Sequence, residues 1–164
     1  MVTSATTKHL CLVIDSNVLI ALCSKETDKY AIAESEYARY SREGYEFYAP
    51  GVVIAETLYV LCQKLHSNKL SSSGHDDAIA DLIMYMTTVE PPPNGDRSLI
   101  ARAEEVRKGY GCSHSADGLY IALVEELNSR GVAELLTFDS NMRNQIKRNA
   151  SSVTINLLVA SKGG

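Results

Sequence analysis

The stretch HLCLVIDSNVLIALCSK, residues 9–25, decides the fold. Its first half is a short run of apolar residues without alternation, ending in Asp15. A strand that is apolar on both faces is one covered on both sides, as in a central parallel strand. The second half follows without a linker and has the composition of a helix. A strand passing directly into a helix is the opening of an alternating α/β chain.

Working outward, the same pattern repeats. Apolar strands are expected at YEFYAP (45–50), TTVEPPP (87–93), ELLTFD (134–139) and VTINLLV (153–159). Between them lie helical segments. One runs from Thr27 to about Arg42, with Tyr30, Ala33, Tyr37 and Tyr40 as its apolar stripe and Gly44 as its stop. Another covers GVVIAETLYVLCQKLH (51–66), with Ile54, Leu58, Leu61 and Leu65 facing inward. SNKLSSSGHDD (67–77) reads as a loop or insertion, followed by a helix at AIADLIMYM whose positive end suits Asp76 and Asp77. Asp96 is expected to cap a helix reaching about Tyr110, with Leu99, Ala103 and Val106 inward. The next helix opens at SHSADG and closes at Gly131, and a short polar one spans SNMRNQIKR (140–148). The expectation is a three-layer α/β/α sandwich around a mostly parallel sheet. Residues 1–9 read as a tail and 10–160 as one domain.

Bulk properties agree. The chain has 164 residues, enough for one ordinary domain with a substantial core. Without Trp, that core is expected to be aliphatic with Tyr at its margins. Cys11, Cys23 and Cys62 sit in apolar runs and read as buried thiols, and no C-x-x-C pair or zinc spacing occurs. Unpaired cysteines, no signal core and no apolar run approaching the roughly 20 residues of a membrane span lead to a cytoplasmic expectation. A formal net charge of −4 argues against a simple basic nucleic-acid-binding domain. It does not argue against a site that gathers carboxylates around a cation.

Such a site is expected. In open α/β sheets, ligands bind beyond the carboxyl ends of the strands. Asp15 and Asp139 each end a strand, while Glu56 and Asp117 lie near the starts of helices that leave the same edge. Clustered carboxylates raise each other's pKa, and a hard divalent cation relieves that repulsion. Mg²⁺ or Mn²⁺ held by Asp15, Glu56, Asp117 and Asp139 would serve phosphodiester hydrolysis. Each acid has a plainer reading. Asp15 and Asp139 suit helix caps, Asp117 suits a helix dipole, and Glu56 could sit on an exposed helix face. Arg143, Lys147 and Arg148 are candidate phosphate contacts, set against a merely solvated face, and His114 is a candidate substrate contact.

Four pieces together, VIDSNVLI, APGVVIAETLYVL, SHSADGLYIALVEEL and LLTFDSNM, resemble the PIN-domain nucleases, and among them most the VapC-type toxin ribonucleases. The resemblance covers nearly the whole chain from about residue 10. It implies a metal-dependent endoribonuclease in which Asp15, Glu56, Asp117 and Asp139 form the acidic site. Asn17, Thr137 and Ser115 would be the polar groups that hold it. Gly118 stands where Ala is usual in that family, and Met142 where an aromatic is frequent. The resemblance further implies RNA as substrate, an antitoxin protein as partner and a homodimer, with the Tyr30–Tyr40 helix a candidate face for self-association. Two rival readings remain: a catalytically weak module that binds RNA or protein, and an Asp-based phosphohydrolase of small esters. The second is weakened because Asn17 stands where its second Asp would be.

Overall fold

The computed structural model describes residues 8–113 and 115–163. The order is β1 (His9–Ile14), α1 (Ser16–Ser24), α2 (Tyr30–Arg42), β2 (Glu46–Tyr48), α3 (Val52–His66), α4 (Ser72–Met86) and β3 (Val89–Glu90). A 3-10 turn (Asp96–Leu99) then leads into α5 (Ile100–Gly109), α6 (Asp117–Asn128), β4 (Gly131–Thr137), α7 (Ser140–Asn149) and β5 (Thr154–Leu157). All five strands run parallel, in the order β3-β2-β1-β4-β5. The helices flank the sheet as a three-layer α/β/α sandwich. No helix among the described residues is long and apolar enough to cross a membrane.

The sheet centre is β1, which pairs with β4 from His9↔Gly131 to Ile14↔Leu136. Cys11, Leu12, Val13 and Ile14 have no solvent exposure, as a strand covered on both faces requires. One further bond, from Asp15 N to Leu136 O at 3.1 Å, carries the pairing to the carboxyl edge. Tyr37 stacks on Phe47 with ring centroids 4.5 Å apart and meets Tyr85 edge-on, tying α2 and α4 to β2.

Several expectations are corrected. The second helix begins at Tyr30, because Glu26 O accepts from both Lys29 N and Tyr30 N and turns residues 27–29 first. The inward line of α3 is Val53, Thr57 and Leu61, whereas Ile54 and Leu58 are exposed. The supposed loop at 67–77 is largely helix. Ser71 caps α4 by accepting from Gly74 N, so Asp76 and Asp77 lie beyond its first turn. Asp96 caps no helix and instead accepts from Gly51 N at 2.9 Å, joining the starts of two distant segments. Gly131 is the first residue of β4, packed so closely on His9 that a Cβ there would lie 2.1 Å from the His9 carbonyl oxygen. Cys62 is exposed, as is Cys112, and all four thiols are free. Tyr40 and Tyr120 are not marginal but fully buried. Each donates its hydroxyl to an acid, Tyr40 to Glu134 and Tyr120 to Glu56, which makes burial of a phenol tolerable.

Gly118 explains how α6 packs. A Cβ there would lie 2.5 Å from the backbone oxygen of Ala103 in α5, so the two helices touch backbone to backbone. Overpacking of this kind costs about 1–3 kcal/mol, more than the roughly 1 kcal/mol by which Ala favours a helix over Gly. Gly118→Ala is therefore expected to lower the urea midpoint of unfolding. Unchanged or increased stability would show that the helices can part freely.

Candidate active site

Asp15 follows the last residue of β1 and caps α1, where Ser16 N donates to its Oδ1 at 2.7 Å. It is a helix cap, as the plainer reading holds, and also a buried acid, with only 5% of its surface exposed. Its second oxygen accepts from Thr137 Oγ1 at 2.6 Å and from Asn17 Nδ2 at 3.0 Å. Asn17 Oδ1 in turn accepts from Phe138 N, and Thr137 Oγ1 accepts from Asp139 N. Thr137 points inward because alternate residues of β4 face one side of the sheet. Asn17 and Thr137 thus lock the ends of the two central strands together around one carboxylate.

The other acids arrive on helices. Half-buried Glu56, on α3, accepts from Tyr120 Oη at 2.6 Å. Asp117, the first residue of α6, accepts from the buried amide of Gln145 on α7. Ser115 is exposed and hydrogen-bonds Ser113, with its hydroxyl 2.9 Å from that of Ser113. Asp139 caps α7 by accepting from Asn141 N at 2.8 Å. Arg143, Lys147 and Arg148 are exposed on α7 and form no ion pair among the described residues. His114 lies outside the described residues.

The acids sense one another. Burial pushes the Asp15 carboxyl up to about 7, and the charges of Asp117 and Glu56 push in the same direction against the Thr137 hydrogen bond. Glu56 is raised by burial and by Asp117, and Asp117 by burial and by Asp139. Burial and the neighbouring Asp15 and Glu56 hold the Tyr120 phenol protonated, so it remains a donor. Every partner of the four acids is a neutral donor. Among the described residues none of the four pairs with Lys, Arg or His.

This donor set fits a hard divalent cation: carboxylate oxygens, grouped by the fold, with their charge left uncompensated. As the side chains lie, no three acids among the described residues converge as ligands of one ion. Tyr120 holds Glu56 and Gln145 holds Asp117. Tyr120 and Gln145 were not singled out from the sequence. Tyr120 reads as one apolar residue of LYIALV, and Gln145 as part of a polar helix. Only a polar residue at the inward spacing of Met142 and Ile146 hints at the latter.

Comparison with known proteins places the family and the fold. The family model described as PIN domain matches residues 12–147. The crystal structure of VapBC2 from Rickettsia felis bound to a DNA fragment from their promoter superposes with a TM-score of 0.58 at 13% identity, covering 90% of this chain and 98% of that one. A domain of a functionally unknown protein from Methanocaldococcus jannaschii gives a TM-score of 0.52 at 18% identity, covering 94% and 95%. At these identities the likeness concerns the fold. No curated protein gives a sequence match.

An acid whose folded pKa is raised binds its proton more tightly when folded. The resulting penalty is absent below the unfolded value near 4, grows as pH rises, and is complete above about 7. In EDTA, Asp15→Asn is therefore expected to be more stable than the parent at pH 7.5, by on the order of a few kcal/mol, and to lose that advantage near pH 4. Thermal melts at the two pH values check it. A variant less stable at pH 7.5 would mean that the hydrogen bonds to Asp15 outweigh its desolvation.

Proposed function

The chain belongs to the PIN-domain family, a family of nucleases, and from that premise we propose that it is a metal-dependent endoribonuclease of the VapC toxin type. The observation that supports the reading is that Asp15, Glu56, Asp117 and Asp139, from four separate segments, feel one another's charge and have only neutral hydrogen-bond donors among the described residues. Asp15, Asp117 and Asp139 would hold Mg²⁺ or Mn²⁺, and Glu56 would share the ion or orient the attacking water. The ion, when bound, would activate water and neutralise charge developing on phosphate oxygens. Asn17 and Thr137 fix the direction of Asp15, Gln145 that of Asp117, and Tyr120 that of Glu56, with Ser115 proposed as a further polar neighbour of Asp117. Arg143, Lys147 and Arg148 are proposed as auxiliary contacts to substrate phosphates.

The toxin reading adds an antitoxin partner and a homodimer. The exposed side of α2 carries Glu34, Arg42 and Glu43, which does not favour it as the face for self-association. Ile54, Leu58 and Ile83, exposed at 45%, 41% and 63%, make α3 and α4 a better apolar surface for a second copy or an antitoxin. The rival reading of a weak binding module draws on the fact that no three acids among the described residues converge as ligands of one ion.

Asp15→Asn and Asp117→Asn are expected to lose more than about 100-fold of Mn²⁺-dependent RNA cleavage while remaining folded. Thr137→Val is expected to lose about 10–100-fold, the range for a residue that orients a ligand. Cleavage assays with matched circular dichroism check this. Full cleavage by both Asp variants would sink the assignment. Absence of Mn²⁺ binding to the parent protein by calorimetry would favour the binding module.

A further inference from the structure

Four carboxylates repel a polyanion, and the chain as a whole is negative. A substrate strand therefore needs a local positive surface beside the acids. One such surface is a cleft of about 270 Å³ between the α1–α2 connection and the end of α3, lined by Lys25, Lys64 and Lys69. Glu26 and Asp28 also line it, and Lys29 pairs with Glu26 at 3.3 Å. Three ammonium groups, those of Lys25, Lys64 and Lys69, thus line it with two carboxylates, and Lys29 reaches Glu26 from outside the lining. Glu26 is already engaged by both Lys29 and Lys64, the latter at 3.5 Å. Lys25 and Lys69 are exposed and make no ion pair among the described residues.

The backbone places these two deliberately. Lys25 ends α1 in the left-handed region, at φ 50°, with its N–H bonded to Ala21 O. Past α3, the chain doubles back so that Lys69 N and Leu70 N both donate to Lys64 O, which brings Lys69 beside Lys64. Two routes lead from the acids to the cleft. Along α3, Lys64 lies about 12 Å beyond Glu56, two turns of helix. At the end of β4, the Lys29 ammonium lies 5.6 Å from the ring centre of Phe138, the residue between Thr137 and Asp139.

We propose that the Lys25–Lys64–Lys69 cleft binds backbone phosphates of a single-stranded RNA a short distance from the bond to be cut. The proposal rests on the ribonuclease reading above. Ammonium groups on flexible stems suit phosphate as point charges and position a strand without reading its bases. The cleft thus draws the strand toward a centre that would otherwise repel it.

The test is the double variant Lys25→Gln, Lys69→Gln, which changes exposed and unpaired side chains. Its charge-matched control is Lys8→Gln, Lys108→Gln, exposed residues elsewhere. Fluorescence anisotropy follows a short labelled single-stranded RNA in EDTA, so that binding is read without cleavage. The double variant is expected to bind about tenfold more weakly whatever the sequence, and its slope of log affinity on log salt should fall by about 1.4, or 0.7 per phosphate contact. With metal added, its KM should rise while kcat is kept. A parent protein that binds and cleaves RNA, with the double variant matching the control, overturns this proposal alone. A parent that neither binds nor cleaves RNA overturns the ribonuclease reading with it. Polyglutamate binding that depends on Lys25 and Lys69, with RNA binding unaffected, would instead assign the cleft to an acidic protein segment and also overturn the proposal.

Discussion

The parallel pairing of β1 with β4 is the constraint on which the rest depends. Its register aligns Ile14 with Leu136, so the two central strands end together and the residues after them emerge side by side. Asp15, Thr137 and Asn17 then lie within hydrogen-bond reach although some 120 residues separate them in the chain. A slip of one residue would turn Thr137 to the opposite face and leave Asp15 buried without its hydroxyl donor. The helices that leave this edge, α3 and α6, bring Glu56 and Asp117 to the same place.

Packing and chemistry pull against each other at this edge. Burial of Asp15 raises its pKa, and the neighbouring acids add to the effect. The fold answers with neutral donors: Ser16 N, Thr137, Asn17, Tyr120 and Gln145. Neutral donors satisfy lone pairs without cancelling charge, which a salt bridge would have done. Elsewhere the same chain pairs its buried acids differently. Glu36 is clamped by Arg39, and Glu125 by Arg102. Glu134, outside the site, has only neutral donors too, the phenols of Tyr40 and Tyr45.

Much of this was legible in the residues. All five strands were, because each is an apolar run bounded by acids, prolines or polar turns. The four acids were legible because they stand where strands end or helices begin. Helix boundaries were less so. Ser72–Asp77 is rich in residues that suit loops, yet it is helical because Ser71 caps it and the Tyr85–Tyr37 contact holds α4 against α2. On α3 the periodicity allowed two apolar lines. Contact with α1 and α4 chose Val53, Thr57 and Leu61, leaving Ile54 and Leu58 outside.

By itself, the order of residues determined the α/β architecture and the edge at which the acids gather. Both follow from local apolar runs and from the rule that parallel strands release their following residues on one side. Tertiary structure alone added Tyr120 and Gln145 to the neutral groups that serve the acids and decided which lysines share a cleft. Tyr120 and Gln145 resemble core and surface residues in one dimension, since nothing local marks a donor whose acceptor lies in another segment. Lys25, Lys64 and Lys69 are scattered along the chain and become one cleft only when a turn after α3 folds back beside the end of α1.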